Sequence, residues 1–312
     1  MISITGGEPF IRKDLLEILK TILDYDLNIS LATNGTIIDE RIISFLERDR
    51  DFILVQVSLD GSKPRIHDGI RGVKGVFKKT IKTIKKLREK EIPFIVKTVI
   101  QRGNIHDLVN IYHLLRKLKV RSWDIARYVP TEANLEHIKD CWVWFKEFLN
   151  SLMKLKLEYD RSGREIDIQV AQASLESVVE YYEQLISDRK LGMKIRWCTP
   201  TITCAAGVSY LYIRASGDIL PCDYFPPVEE YVCGNVKYDN LRDVWFNSEK
   251  LHKVRCLRRE ELMEPCRSCQ KPCASLCLAS GIVFFKKLGS PNILCPLVEQ
   301  HHMPTLAREI YS

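Results

Sequence analysis

The sequence has no apolar run approaching the ~20 residues a membrane helix needs. Its first residues, Met1-Ile2-Ser3-Ile4-Thr5, carry neither a basic n-region nor a cleavage site. Neither membrane insertion nor secretion is expected, and the cytoplasm is the expected compartment. Marks of disorder are also missing, since 46% of the 312 residues are apolar and 28% charged, a mixture that supports a buried core. No sign of charge dominates strongly: 47 Lys and Arg stand against 40 Asp and Glu, a net +7. The excess is spread out, and its densest patch, 78–90, reads as a solvated helix face, so no nucleic-acid partner is expected. Cysteine is absent from the first 140 residues, whereas ten of the eleven cysteines lie after residue 197. An odd, clustered set without an export signal argues against a disulfide framework and for thiolate ligands in a reducing compartment.

Three stretches differ in character. Residues 1–130 alternate strand candidates at 1–5, 28–33, 52–59, 93–100 and 122–127 with helix candidates at about 11–25, 38–48, 75–91 and 105–118. The strands read as nearly continuous apolar runs, the pattern of a parallel sheet covered on both faces. Repeated βα units imply a parallel barrel or a doubly wound sheet. Residues 131–195 read as a helical bridge, with helices at 142–157 and 175–186 separated by a polar break at 161–164. Residues 196–312 are richer in cysteine, glycine and proline, with a hairpin expected across 210–213 and 219–222, turned at 216–218. Such a stretch needs metal or clusters as staples.

Polar residues gather at three successive strand ends. Gly6-Gly7-Glu8-Pro9 joins the first strand to a helix; its glycines let backbone approach a ligand, and Glu8 offers an acceptor for a cationic amine. Leu31-Ala32-Thr33-Asn34-Gly35-Thr36 brings an amide and hydroxyls to the same rim. Val57-Ser58-Leu59-Asp60-Gly61 follows, then His67-Asp68-Gly69-Ile70-Arg71-Gly72, where Ser58 and Arg71 are suited to grip a carboxylate.

Together these residues resemble the radical S-adenosylmethionine (radical SAM) enzymes over residues 1–130. The resemblance implies an α/β fold, a partial (β/α)6 barrel. By position it places Gly6, Gly7, Glu8 and Pro9 at the amino group of the methionine moiety. It places Ser58 and Arg71 at that moiety's carboxylate, with Asn34 nearby. The sequence departs from the family in one respect: the signature Cys-x3-Cys-x2-Cys loop, which binds the catalytic 4Fe–4S cluster, has no counterpart. The chain reads as lacking the first strand, the cluster loop and the first helix, roughly 40–60 or more residues where a βα unit alone takes ~30. The expectation is a fragment or a misplaced start, inactive as written, with a third 4Fe–4S cluster only where that segment is restored.

Eight of the ten cysteines from 198 to 295 suffice for two four-thiolate sites, and spacing leaves iron–sulfur and zinc both open. The pattern from Cys198 to Cys295 resembles the SPASM domain, the auxiliary-cluster domain that follows many radical SAM barrels. Cys204, Gly217 and Cys222 fit its first part, and Gly234-Asn235-Val236 with 241–245 its middle. Three residues rather than five separate Cys269 from Cys273. The resemblance implies one auxiliary 4Fe–4S cluster on Cys198, Cys204, Cys222 and Cys277, and another on Cys266, Cys269, Cys273 and Cys295. Of the remaining cysteines, Cys141 reads as a buried apolar residue, Cys233 as an alternative ligand and Cys256 as unassigned. His301-His302 reads as a solvated tail pair.

The expected function is that of a radical SAM/SPASM oxidoreductase or maturase. Such an enzyme generates a 5′-deoxyadenosyl radical from S-adenosylmethionine to modify a peptide, protein or tetrapyrrole, and draws electrons from a reductant such as ferredoxin or flavodoxin. The alternatives are a non-catalytic iron–sulfur electron-transfer protein that keeps only the auxiliary clusters, and a structural zinc protein. The catalytic acid, base or quenching residue is not assigned.

Overall fold

The computed structural model describes residues 1–170, 173–186, 204–269 and 277–311. The chain divides into two units, one of residues 1–128 and 147–186, the other of 129–146 and 187–312. No helix among the described residues is long and apolar enough to cross a membrane.

The first unit is built on seven strands: β1 (Ile2–Ile4), β2 (Ile29–Thr33), β3 (Ile53–Ser58), β4 (Phe94–Ile100), β5 (Ser122–Arg127), β6 (Asp167–Val170) and β7 (Ala173–Ser174). Between them run α1 (Leu15–Asp24), α2 (Glu40–Arg48), α3 (Pro64–Arg71), α4 (Val76–Glu89) and α5 (Leu108–Lys117). The strands lie in chain order, parallel from β1 to β6, with β7 antiparallel at the end. That order decides between the two architectures the repeats allow. Right-handed crossovers that never reverse direction put every helix on one face, the winding of a barrel rather than of a doubly wound sheet.

One consequence differs from the pattern expected of the strands. Only one face is fully covered, and exposure alternates along β3, β4 and β5. The covered face carries Leu31, Val55, Val57, Val96, Trp123 and Ile168, all buried. Each such aliphatic side chain contributes about 1.5–3 kcal/mol by leaving water. The other face carries Ser30, Gln56, Ser58, Lys97, Asp124 and Gln169. Four of these share one register row, Ser58–Lys97–Asp124–Gln169, across β3 to β6. Lys97 and Asp124 form an ion pair there at 3.3 Å.

Local chemistry sets the helix ends. Asp39 caps α2 by accepting from the Ile42 amide at 2.9 Å. Pro64 opens α3, and Gly72 closes it in the left-handed conformation. The Asp68 carboxylate accepts from the Gly75 and Phe77 amides at the start of α4. The basic patch at 78–90 lies along α4, where Lys86 and Lys90 pair with Glu40 and Glu47.

Of the stretch expected as a helical bridge, residues up to 146 fall in the second unit and 147–186 in the first. It contains a short helix, α6 (Ile138–Cys141), then α7 (Phe145–Arg161) and α8 (Leu175–Ile186). Between α7 and α8, Asp167-Ile168-Gln169-Val170 pairs with β5 as the sixth parallel strand. Four alternating residues are too short a run to announce a strand from sequence.

In the second unit, β8 (Tyr212–Ile213) and β9 (Asp218–Leu220) form the expected hairpin, joined by β10 (Gly234–Asn235). Gly217 turns it at φ +98°, and a Cβ there would lie 2.6 Å from the Asn235 side-chain oxygen. Helices α9 (Leu241–Asn247), α10 (Glu249–Arg255), α11 (Leu278–Phe285) and α12 (Pro296–Tyr311) follow. Their core joins Leu220, Phe225, Val254, Leu262, Leu278 and Ile282.

Candidate active site and thiolate centre

In the first unit the rim is tied together by Glu8. Its Oε1 accepts from the Thr33 hydroxyl at 2.8 Å and the Phe10 amide at 3.2 Å, and its Oε2 accepts from the Asn34 amide at 2.7 Å. The carboxylate thus latches the end of β1 to the end of β2. An ionised carboxylate offers about four acceptor positions. Three are taken, which leaves room for one more donor. Among the described residues, nothing beyond the adjoining chain neighbours lies within 4 Å of where a Cβ would stand on Gly6 or Gly7. Space in front of the latch is therefore open, and a cavity of about 250 Å³ beside it is lined by Ile4, Thr5, Gly7, Glu8, Pro9 and Leu15.

Asn34 is held as well. Its side-chain oxygen accepts from the Thr36 amide and hydroxyl, and its backbone oxygen accepts from the Thr80 hydroxyl of α4 at 2.8 Å.

Past β3, Arg71 has a protein partner that the sequence did not show. Arg71 Nη2 stands 2.6 Å from Asp60 Oδ2, and Asp60 is only 3% exposed. Arg71 Nε is buried without a partner. Ser58 faces the open side of the sheet, in register with Lys97. Sequence reasoning did not find the Thr33–Glu8 bond, the Asp60–Arg71 pair or the Lys97–Asp124 pair. The available signal was a lysine inside an otherwise apolar strand run and an aspartate one residue past a strand end.

His67 packs under this corner. Its Nδ1 accepts the Asp60 amide N–H at 3.1 Å, and its ring meets Phe77 edge-on. Burial lowers its pKa, over the opposing pull of Asp60, while the Arg71 cation lowers it further. An unfolded histidine titrates near 6.5. Below that pH the unfolded chain binds more protons than the folded one, so stability falls as pH drops from about 6.5 through the lower folded value. We expect the urea midpoint to fall between pH 7.5 and 5.5, and His67→Gln to flatten that slope. Superimposable pH profiles for the two proteins would refute the assignment.

In the second unit, Cys204, Cys222, Cys266 and Cys277 pack against one apolar cluster. Burial pushes the Cys222 and Cys277 thiols up; Cys277 and Cys204 add to the rise at Cys222, and Cys204 to that at Cys277. Cys277 precedes α11, and the amides of Ala279 and Ser280 there oppose the rise. Dry, mutually repelling thiolates need a cationic partner to stay ionised, and soft iron or zinc supplies one. The donor set therefore fits a thiolate-bound centre. Cys198 and Cys273, the expected fourth members of the two sets, lie outside the described residues. Among the described residues no three His, Cys, Asp or Glu side chains are gathered as for a single metal ion. Cys269 and Cys295 are half-buried.

The remaining cysteines separate from this group. Cys233 packs with Ile219, Val244 and Leu251 in a different cluster, and its thiol donates to the Tyr231 carbonyl. Cys141 on α6 is only half-buried. Cys256 is exposed, 3.4 Å from His252 Nε2. His302 is not a free tail residue: its Nε2 lies 3.1 Å from the Glu264 carbonyl and its ring packs on Phe285.

Comparison with known proteins bears on the fold and the family. The family model described as Radical SAM superfamily matches residues 1–115, and the SPASM model, an iron-sulfur cluster-binding domain, matches 204–270. An AdoMet-dependent heme synthase of Methanosarcina barkeri is 28% identical over 283 residues, 88% of this chain and 76% of that protein. A PqqA peptide cyclase of Bradyrhizobium diazoefficiens is 25% identical over 279 residues, 86% of this chain and 65% of its own length. The solved structure of anSMEcpe with bound AdoMet and Cp18Cys peptide aligns with a TM-score of 0.68 at 18% identity, covering 99% of this chain and 84% of that one.

Proposed function

Since this chain is a radical SAM protein with a SPASM domain, we propose that it binds S-adenosylmethionine at the Glu8 rim and auxiliary 4Fe–4S clusters in its cysteine-rich unit. The observation that carries the reading is the Glu8 carboxylate, fixed by three donors, with one acceptor position free, behind two glycines that leave open space. Glu8 accepts the amino group of the methionine moiety, and Gly6 and Gly7 admit it. Arg71, whose side chain is partly exposed and paired with Asp60 through Nη2, is assigned to the carboxylate together with Ser58 on the open face. S-adenosylmethionine held there would supply one-electron chemistry for hydrogen-atom abstraction, given a reducing cluster. The half-exposed polar face of the sheet, with Lys97 and Asp124 at its centre, receives that substrate.

One auxiliary cluster is assigned to Cys198, Cys204, Cys222 and Cys277, and the second to Cys266, Cys269, Cys273 and Cys295. Full cysteine ligation leaves no iron open for substrate, so both serve electron transfer or structure. Electrons come from a small reductant such as ferredoxin or flavodoxin, in the cytoplasm. The substrate is a tetrapyrrole or a peptide. Relatives named as AdoMet-dependent heme synthases support the first, and a PqqA peptide cyclase the second.

The test is anaerobic reconstitution of the 312-residue chain, with iron and sulfide counts and reduced-state electron paramagnetic resonance. About eight irons per chain are expected, at four per all-cysteine cluster. S-adenosylmethionine should leave both signals unchanged. Zinc in place of iron, or no retained metal, would sink the cluster assignment.

A further inference from the structure

We propose that the outer ridge of α4, formed by Lys78, Lys82 and Lys85 with Lys79 on its flank, is the docking face for a small acidic electron-carrier protein. This rests on the reading that such a carrier feeds the chain. α4 holds six basic residues and one acid, +5 of the net +7. Residues 78, 82 and 85 share one helix face and span about 10 Å along it. All four lysines are exposed, whereas Thr80, Thr83, Ile84 and Leu87 turn inward. Pairing stops at the edge of this ridge. Lys86 and Lys90 meet Glu40 and Glu47 of α2, and Glu89 is taken by Arg88. Asp68, at the helix start, is committed to the Gly75 and Phe77 amides. Lys82 helps hold Glu40 ionised without pairing with it. Among the described residues, none of the four ridge lysines makes an ion pair.

The arrangement is unfavourable to the helix itself. Lys78 with Lys82, and Lys82 with Lys85, are like-charge neighbours at i,i+4 and i,i+3. The first turn, where acids are favoured, carries two lysines and no acid. A face that only has to meet water is served by mixed signs, as on α2 with Glu40, Arg41, Glu47 and Arg48. A single concentrated sign instead steers a partner of the opposite sign. Val73, 57% exposed just before the helix, adds an apolar contact of the kind protein interfaces use. The ridge has no aromatic side chain on which a base could stack, which favours a protein over a single-stranded nucleic acid. The inner side of the same helix reaches the rim. The Thr80 and Thr83 hydroxyls donate to the Asn34 and Gly35 carbonyls at 2.8 and 2.7 Å. A carrier on the ridge is therefore one helix, ~10–12 Å across, from the loop that bears Asn34.

The test is isothermal titration of the reconstituted 312-residue chain with an acidic ferredoxin and an acidic flavodoxin. The wild type should bind at least one of them, and should lose about tenfold or more in affinity as salt rises to about 0.3 M and screens the ridge. The triple variant Lys78→Gln, Lys82→Gln, Lys85→Gln should lose about tenfold at low salt and most of the salt dependence. Removing the same charge elsewhere, through Lys20→Gln, Lys117→Gln and Lys139→Gln together, should cost less than about twofold. The ridge variant should unfold at the same urea concentration as the wild type or a higher one, because repulsion along α4 is relieved. A lower midpoint would mean that the lysines serve the fold, and would overturn the proposal. Equal losses in the two triple variants would reduce the effect to net charge and overturn it too. So would a single-stranded oligonucleotide that binds the ridge more tightly than either carrier. Carrier binding that survives intact in the ridge variant removes the ridge and leaves the reductant reading standing. A wild type that binds neither carrier removes that reading, and the proposal with it.

Discussion

Replacing Cys277 with alanine will lower the iron bound by the reconstituted chain from about eight atoms to about four, the content of one all-cysteine 4Fe–4S cluster. Cys277 stands immediately before α11, packed against the apolar cluster that also holds Cys204 and Cys222. Its thiol resists ionisation there because the surroundings are dry and other thiols are near. A cluster core reverses that balance, and one missing ligand leaves an iron to be filled by water in an apolar pocket. Stability should fall in step, since the binding free energy of a centre that forms only in the folded state is also folding free energy. Cys233→Ala is the control. It removes a thiol of similar burial from a separate apolar cluster, with Ile219, Val244 and Leu251, and should leave the iron count unchanged. The measurement is total iron and acid-labile sulfide per chain after anaerobic reconstitution. Unchanged iron in Cys277→Ala, or equal loss in Cys233→Ala, would remove Cys277 from the ligand set.

Much of this was legible in the residues because the signals were local. Five of the six parallel strands are runs with turn chemistry at their ends, and all five lie where the apolar pattern puts them. The hairpin at Gly217 follows from a glycine with positive φ between two short apolar runs. What escaped was long-range. The strand β6 has four residues and gains its identity only by pairing with β5. Single coverage of the sheet follows from strand order, which no local window contains. Arg71 and Asp60 are eleven positions apart, and sequence showed an arginine suited to an anion without showing that a buried aspartate already occupies one of its nitrogens. Thr33 looked like an ordinary strand-end hydroxyl, and its role appears only when Glu8 folds across to it from 25 residues away. In each case the missing information was which polar group satisfies which. Burial forces that question to be answered but spacing does not answer it.

The same point makes Glu8 the most consequential single position of the rim. Glu8→Ala should lower the unfolding free energy by about 3 kcal/mol, since removing a buried acceptor strands donors at ~1–3 kcal/mol each. Three donors are involved, the Phe10 and Asn34 amides and the Thr33 hydroxyl, and water entering the vacated space will recover part of the loss. Glu8 is 9% exposed, so the groups it leaves are themselves mostly shielded. Glu8→Gln should cost about half as much: its amide oxygen can still accept, while its NH2 must face a donor that the carboxylate had satisfied. Affinity for S-adenosylmethionine separates the two roles. Both variants lose the negative charge proposed to meet the cofactor's amine, so on that reading both should lose binding by tenfold or so, whereas stability should fall clearly more in alanine than in glutamine. Urea denaturation followed by tryptophan fluorescence reads the first quantity, because Trp123 lies fully buried in the same sheet with its indole N–H on Thr98. Equilibrium dialysis reads the second. A Glu8→Ala protein within about 0.5 kcal/mol of wild type would mean that the latch between β1 and β2 is not what holds the rim, because a surface substitution away from such a feature does no more than that. Equal affinity in all three proteins would instead take the amine away from Glu8 and leave the carboxylate with a purely structural task.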